Sequence, residues 1–331
     1  MAGRFIRRHR VSVAGAVALA SLVVVFVGLL AQERTRARAE AAKAQATADF
    51  LVDLFLETDP GDGKGASYTV REALDAGAER VGLLDGVPEV KTQMLDVFGR
   101  VYRALGLYGR ADSLHQAAVA EARATFGPDA PPTLAAEHHY AYLLDQMDRD
   151  AEAESLHRHA LDVRRRTGDP DGLVESTSDY GQFLYKRDRI AEADRLVTEG
   201  LDVLRRYPDA GPPDLGGESG RASFLYLLGK IRAAEGDAAG GERLIREALA
   251  TYRRLYPPDH IYVASVETGL AKALLNAGRT DEAAALTQHA VRVFEAQWGP
   301  SHPWTVSAMA MAARIDSARA AQPLPAGRTD D

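Results

Sequence analysis

A segment of some two dozen residues recurs five times along this chain. The copies begin GRVYRALGLYGRADSLHQ at Gly99, AYLLDQMDRDAEAESLHR at Ala141, GQFLYKRDRIAEADRLVT at Gly181, GKIRAAEGDAAGGERLIR at Gly229 and AKALLNAGRTDEAAALTQ at Ala271. Successive starts are 42, 40, 48 and 42 residues apart. A sustained period in this range marks a solenoid, because one unit cannot bury its apolar face until a neighbour stacks on it.

Each copy reads as two helices. The first places a small residue beside a large one, usually with a second large residue three positions on. The series is Phe98-Gly99-Tyr102, Tyr140-Ala141-Leu144, Tyr180-Gly181-Leu184, Leu228-Gly229-Arg232 and Leu270-Ala271-Leu274. A small residue lets a neighbouring helix approach and seat a side chain. Gly106, Gly236 and Gly278 occupy the same place after the first helix and supply the left-handed residue that ends it. The second helix carries Leu114/Ala118, Leu156/Ala160, Leu196/Gly200, Leu244/Ala248 and Leu286/Ala290, a spacing that predicts one buried stripe per helix. Proline-containing connectors such as FGPDAPP, YPPDH and WGPSHP close each copy.

Composition narrows the functional classes. With no cysteine among 331 residues, disulfide frameworks, thiolate metal centres and cysteine nucleophiles are excluded. A net charge of −7 argues against a nucleic-acid binder, which carries a basic field.

The first ninety residues have their own organisation. Residues 1–10 form a basic flank with Arg4, Arg7, Arg8 and Arg10. Residues 11–31 contain no charge, and at about 1.5 Å per residue they reach roughly 31 Å as a helix, enough to cross a bilayer core. This predicts a transmembrane helix and single-pass localisation in a membrane. Residues 32–58 read as a helical stalk and 59–67 (DPGDGKG at its start) as a linker. Residues 322–331 read as a disordered tail.

The large-small-large, Gly, Ala-Leu-Ala pattern resembles the tetratricopeptide repeat, and its period and GPD-like connectors resemble the long variant of kinesin light chains. The resemblance implies an all-α solenoid of helix pairs in a right-handed superhelix over residues 68–321. A half-repeat cap would occupy 68–87, about five repeats 88–300 and a capping helix 303–321. The order of basic flank, span, stalk, FLVDLFLETDPGDGKG and TVREALDAGAERV also resembles the non-catalytic C-terminal half of bacterial transmembrane serine/threonine protein kinases. That resemblance implies a cytoplasmic N-terminus, repeats outside the cytoplasm of a bacterial inner membrane, and a kinase domain that is truncated away or split off. The chain has no glycine-rich phosphate loop, V-A-I-K, H-R-D, D-F-G or A-P-E motif.

No other catalytic framework emerges. His138 and His139 are adjacent and diverge on a helix, as do His157 and His159, and neither HExxH nor GxSxG occurs. The histidines read as surface or groove residues, and Glu152/Glu154 as solvated charges. Neither enzymatic activity, a metal, a cofactor nor a small-molecule substrate is expected, so function must reside in a surface. The resemblance implies that first helices line a concave groove. By register, Arg100, Arg103, His139, Tyr142, Gln182, Tyr185, Lys230, Lys272 and Asn276 face it. Basic and aromatic groups in an acidic protein suit an extended or acidic peptide, with Arg and Tyr as anchors. The chain thus reads as a membrane-anchored scaffold or sensor that binds a peptide or protein partner.

Overall fold

The computed structural model describes residues 41–42, 44–48, 70–212 and 216–321, and no strand occurs among them. Residues 41–42 and 44–48 are helical. From Val70 onward the described chain runs α1 (Val70–Arg80), a 3-10 turn (Val81–Leu84), α2 (Pro88–Ala104), α3 (Tyr108–Phe126), α4 (Pro131–Gln146), α5 (Asp150–Thr167), α6 (Pro170–Lys186), α7 (Ile190–Arg206), α8 (Gly217–Ala234), α9 (Ala238–Leu255), α10 (Ile261–Asn276), α11 (Thr280–Trp298) and α12 (Pro303–Ala320). They divide into two compact units, one ending at Leu143 and the other beginning at Leu144, both within α4. Both contain packed helix pairs, α2 with α3 in the first and α8 with α9 in the second.

One turn geometry joins each first helix to its second. The residue seven positions after the small residue is left-handed in every copy, at Gly106, Asp148, Asp188, Gly236 and Gly278. The next amide donates back five residues, as in Leu107 to Tyr102, Arg149 to Leu144, Arg189 to Leu184, Asp237 to Arg232 and Arg279 to Leu274, all at 2.9–3.0 Å. This closure satisfies carbonyls that the helix end leaves free. The sequence shows glycine in three copies. In the other two aspartate takes the left-handed position, which short polar side chains tolerate better than other non-glycine residues.

In the first unit, α2 packs on α3 with Gly99 against the ring of His115, which is fully buried. Val90, Met94, Phe98 and Tyr102 of α2 are buried as well. A buried Glu137 on α4 is held by Arg123 at 2.6 Å. In the second unit α8 packs on α9, where the Gly229 and Gly241 backbones meet, and α10 packs on α11. Ile245, Leu249, Val263, Val266, Leu270, Leu274 and Ile315 form a continuous core. Here Glu267 repeats the role of Glu137: it is almost wholly buried and bonded to Arg253 at 2.7 Å, with the same sequence offset. His289 also bonds the Glu267 carboxylate, so Arg253 shares that buried charge with an imidazole.

The buried stripe of the second helices lies one residue away from the expected leucines. Leu196 is buried, whereas Leu114, Leu156, Leu244 and Leu286 are half-buried. The deepest places go to the following residue, His115, Val197, Ile245 and Thr287, together with the alanines at 118, 248 and 290. The reason is geometric: the following residue opposes the small residue of the first helix, as Gly99 with His115, Gly181 with Val197 and Gly229 with Ile245 show.

The single-pass membrane localisation requires correction. Among the described residues, no helix is long and apolar enough to cross a membrane. Residues 11–31, on which that expectation rested, lie outside the described residues, as do residues 59–67, most of the expected stalk and residues 322–331. The expected placement of the repeats on one side of a membrane falls with it.

Candidate functional site

The nine expected groove residues all lie on first helices, and the structure gathers seven of them into two clusters, one in each unit. In the first unit, Arg100 and Arg103 are one turn apart on α2, opposite His139 and Tyr142 on α4. Asp96, one turn before Arg100, links the two helices. Its carboxylate accepts from His139 Nδ1 at 2.9 Å and lies 3.2 Å from Arg100 Nε. Buried His115 approaches it at 3.5 Å, an electrostatic contact rather than a hydrogen bond. Burial alone would raise the Asp96 carboxyl, but the neighbouring His115 and His139 outweigh it and bring it down to about 2. The guanidinium of Arg103 lies over the Tyr142 ring, 4.6 Å from its centre. Two rungs therefore join α2 to α4, one a histidine–carboxylate hydrogen bond and one cation–π.

In the second unit the cluster centres on Lys230 of α8. Its ammonium lies 4.5 Å from the Tyr185 ring centre on α6 and 5.3 Å from that of Tyr226, one turn earlier on its own helix. No carboxylate pairs with Lys230 or Lys272 among the described residues. Burial, then the like charges of Lys272 and Lys186, lower the Lys230 ammonium to about 8. Burial raises the Tyr185 phenol, helped by Asp188, and raises that of Tyr226. Lys186 differs from the other two lysines, for Asp145 neutralises it at 2.7 Å. Gln182 and Asn276 are exposed and join neither cluster.

Three contributors escaped the sequence reading. Asp96 organises the first cluster, and its signal is the i, i+4 spacing to Arg100. Tyr226 bears the same spacing to Lys230. Gly269 on α10 makes the room Tyr226 occupies: a Cβ there would collide with the phenol ring and its oxygen. Glycine inside a helix costs about 1 kcal/mol relative to alanine, so this one marks a close approach.

Two acid and histidine assignments also change. Glu154 is no solvated charge. It accepts from Arg189 and Arg158 at 2.6 Å each and from the Tyr180 hydroxyl at 2.9 Å, which ties α5 to α6 and α7. His157 stacks on Tyr180 with ring centres 5.6 Å apart and so belongs to helix packing.

The family model described as "Tetratricopeptide repeat" matches residues 93–166 and 220–296. Among solved structures, a variant of a kinesin light chain protein with nearly identical TPR-like repeats, from Podosopora anserina, is 17% identical with a TM-score of 0.50. The match covers 63% of this chain and 97% of that one. BtubC (BKLC) from P. vanneervenii is 20% identical with a TM-score of 0.52, over 70% of this chain and 89% of the other. The apo quorum sensor NprR from B. thuringiensis is 12% identical with a TM-score of 0.52, over 74% of this chain and 65% of that one. At such identities the likeness concerns the fold. No curated protein matches the sequence. None of these comparisons supports the resemblance to the membrane half of protein kinases.

Proposed function

We propose that this chain is an interaction scaffold. Its first helices bind a peptide or protein partner, and no chemistry takes place on it. Tetratricopeptide repeats are typically non-catalytic and bind protein or peptide partners, which supports the general reading. The specific observation is Lys230. A half-buried ammonium flanked by two tyrosine rings and two further lysines, with no carboxylate among the described residues to neutralise it, raises the energy of the free surface. An acidic side chain of an extended ligand would relieve that cost, and the tyrosines would supply anchoring area. In this reading Arg100, Arg103, His139 and Tyr142 offer a second, weaker contact region, with Gln182 and Asn276 as polar neighbours in the groove.

Site-specific photo-crosslinking tests the reading. A benzophenone side chain at Gln182, on the first-helix face, should trap a discrete partner from cell extract, and the same group at Asp162, exposed on a second helix, should not. Adding Lys230→Glu to the Gln182 variant should abolish the adduct. Equal trapping at both positions, or an adduct indifferent to Lys230→Glu, would place the partner elsewhere.

A further inference from the structure

One cavity in the second unit combines two cations and two aromatic walls with no carboxylate. It encloses about 520 Å³, within the range of small-molecule sites, and lies between α8, α10, α11 and α12. Lys272 of α10 and Arg314 of α12 line it, and no carboxylate does. Neither cation has an acidic partner among the described residues, in a chain with 47 Asp and Glu against 40 Lys and Arg. The contrast with other cavities is clear. A neighbouring one of about 530 Å³ holds Arg254 and Arg221, but Glu218 bonds the first at 2.7 Å and Glu247 faces the second at 3.9 Å. The cavity of about 460 Å³ in the first unit is mostly apolar and contains Glu89 and Asp96.

The rest of the lining is aromatic and hydroxylic. Trp304 stands at one side and is 49% exposed. Phe294 and Trp298 hold it edge to face, with ring centres 5.7 and 5.8 Å away, so its orientation is fixed while much of its surface stays open. Tyr226, seated by Gly269, forms another wall. Ser265 and Ser307 add hydroxyl groups. A fixed indole and a phenol ring favour a flat ring, and a lysine with an arginine favours an anion that accepts hydrogen bonds from both. The volume matches that of small-molecule sites.

We propose that this cavity is a binding site for a small planar aromatic carboxylate. The ring packs against Trp304 and Tyr226, and the carboxylate meets Arg314 and Lys272. The site adjoins the Lys230 cluster and shares Lys272 and Tyr226 with it, but Trp304 and Arg314 belong to the cavity alone, so their variants distinguish this proposal from partner binding at Lys230.

The probes are para-nitrobenzoate, its neutral amide para-nitrobenzamide, and the non-aromatic cyclohexanecarboxylate. Binding to the full chain is followed by quenching of tryptophan fluorescence and by saturation-transfer NMR of the ligand. Para-nitrobenzoate should bind saturably, and the other two at least about tenfold more weakly. Arg314→Gln should weaken para-nitrobenzoate by at least about tenfold with the thermal midpoint unchanged, since this side chain is exposed. Trp304→Leu should remove the saturable NMR signal, whereas Trp304→Phe should keep it. Arg221→Gln, in the other cavity of about 530 Å³, should leave para-nitrobenzoate binding within about threefold. Equal affinity for acid and amide, full binding by Arg314→Gln, or no saturation by para-nitrobenzoate at about 10 mM would overturn the proposal.

Discussion

The two units present the same helix face with opposite electrostatic outcomes. In the first, Arg100 and His139 converge on Asp96, so the protein's own carboxylate already engages Arg100. In the second, Lys230 and Lys272 occupy the register position that Arg100 holds, yet among the described residues no acid answers them, and aromatic rings flank Lys230. A neutralised cation mainly holds two helices together. An unanswered, half-buried one destabilises the free protein and gains most from a ligand. A basic residue facing a groove therefore identifies a site only once its neighbours are known.

The largest expected effects come from the small residues beneath these faces. A Cβ on Gly229 would lie 2.8 Å from the Gly241 carbonyl oxygen and 2.7 Å from Ile245, and a backbone cannot step aside. On Gly99 it would meet only the His115 ring, at 2.8 Å. Overpacking typically costs about 1–3 kcal/mol. Gly229→Ala should fall at the upper end and Gly99→Ala at the lower, while Gly99→Leu should approach the upper end. Urea denaturation of the three variants measures this. A smaller loss for Gly229→Ala than for Gly99→Ala would show that the second unit is the more adaptable one.

Next in size are charge reversals. Lys230→Glu should weaken partner binding by more than about tenfold, or roughly 1.4 kcal/mol. Arg100→Glu should weaken it less, since it removes a cation already shared with Asp96. Lys230→Met should weaken binding and yet raise the thermal midpoint, because it removes a desolvated charge. Equal losses for the two reversals, measured by calorimetry with the crosslinked partner, would erase the distinction between the faces.

The fold was legible because helix periodicity and small-residue spacing are local signals that survive any side-chain detail. The expected groove set was legible as a register, which is why its members fall on first helices. What remained hidden depends on pairs distant in sequence. Asp96 and His139 are 43 positions apart, and Tyr226 and Gly269 the same, so only stacking of successive repeats brings them together. The leucine stripe was displaced for a related reason. The side chain chosen for deepest burial is the one opposite a small residue on another helix, so its own hydrophobicity does not decide. That is how His115 becomes fully buried while Leu114 beside it does not.

Proton uptake offers a third way to separate the faces. The Lys230 ammonium has a folded value of about 8, below its ordinary 10.5. Between those values the unfolded chain binds more protons, so stability should rise with pH across that interval. An acidic partner needs the protonated form, so affinity should fall as pH climbs through about 8. Asp96 behaves differently: its folded value of about 2 lies below the ordinary 3.8, so its contribution is complete above 3.8 and is lost as pH falls through about 2. Thermal midpoints of wild type minus Lys230→Met between pH 7 and 11 should trace the first effect. A flat difference would mean that Lys230 is as well solvated as an ordinary surface lysine.

The smallest effects concern the left-handed turns. Gly106 fills this position in the first unit, whereas Asp148 and Asp188, at φ 56° and 59°, fill it in two copies of the second. The left-handed region costs an ordinary residue roughly 1–2 kcal/mol, and aspartate less. Glycine removes that strain but adds about 0.4–1 kcal/mol of unfolded-state entropy. Asp148→Gly and Asp188→Gly should therefore stabilise by only about 0.5 kcal/mol or less. The two should part company in binding. The Asp188 carboxylate helps raise the Tyr185 phenol and so places a negative charge close to the Tyr185–Lys230 pair. Its removal should tighten an acidic ligand slightly, by about twofold, an effect that added salt diminishes. Asp148→Gly, without that neighbour, should leave affinity unchanged. Matched stability with a binding gain confined to Asp188→Gly would trace the difference to charge beside Lys230, and equal gains in both variants would trace it to the turns themselves.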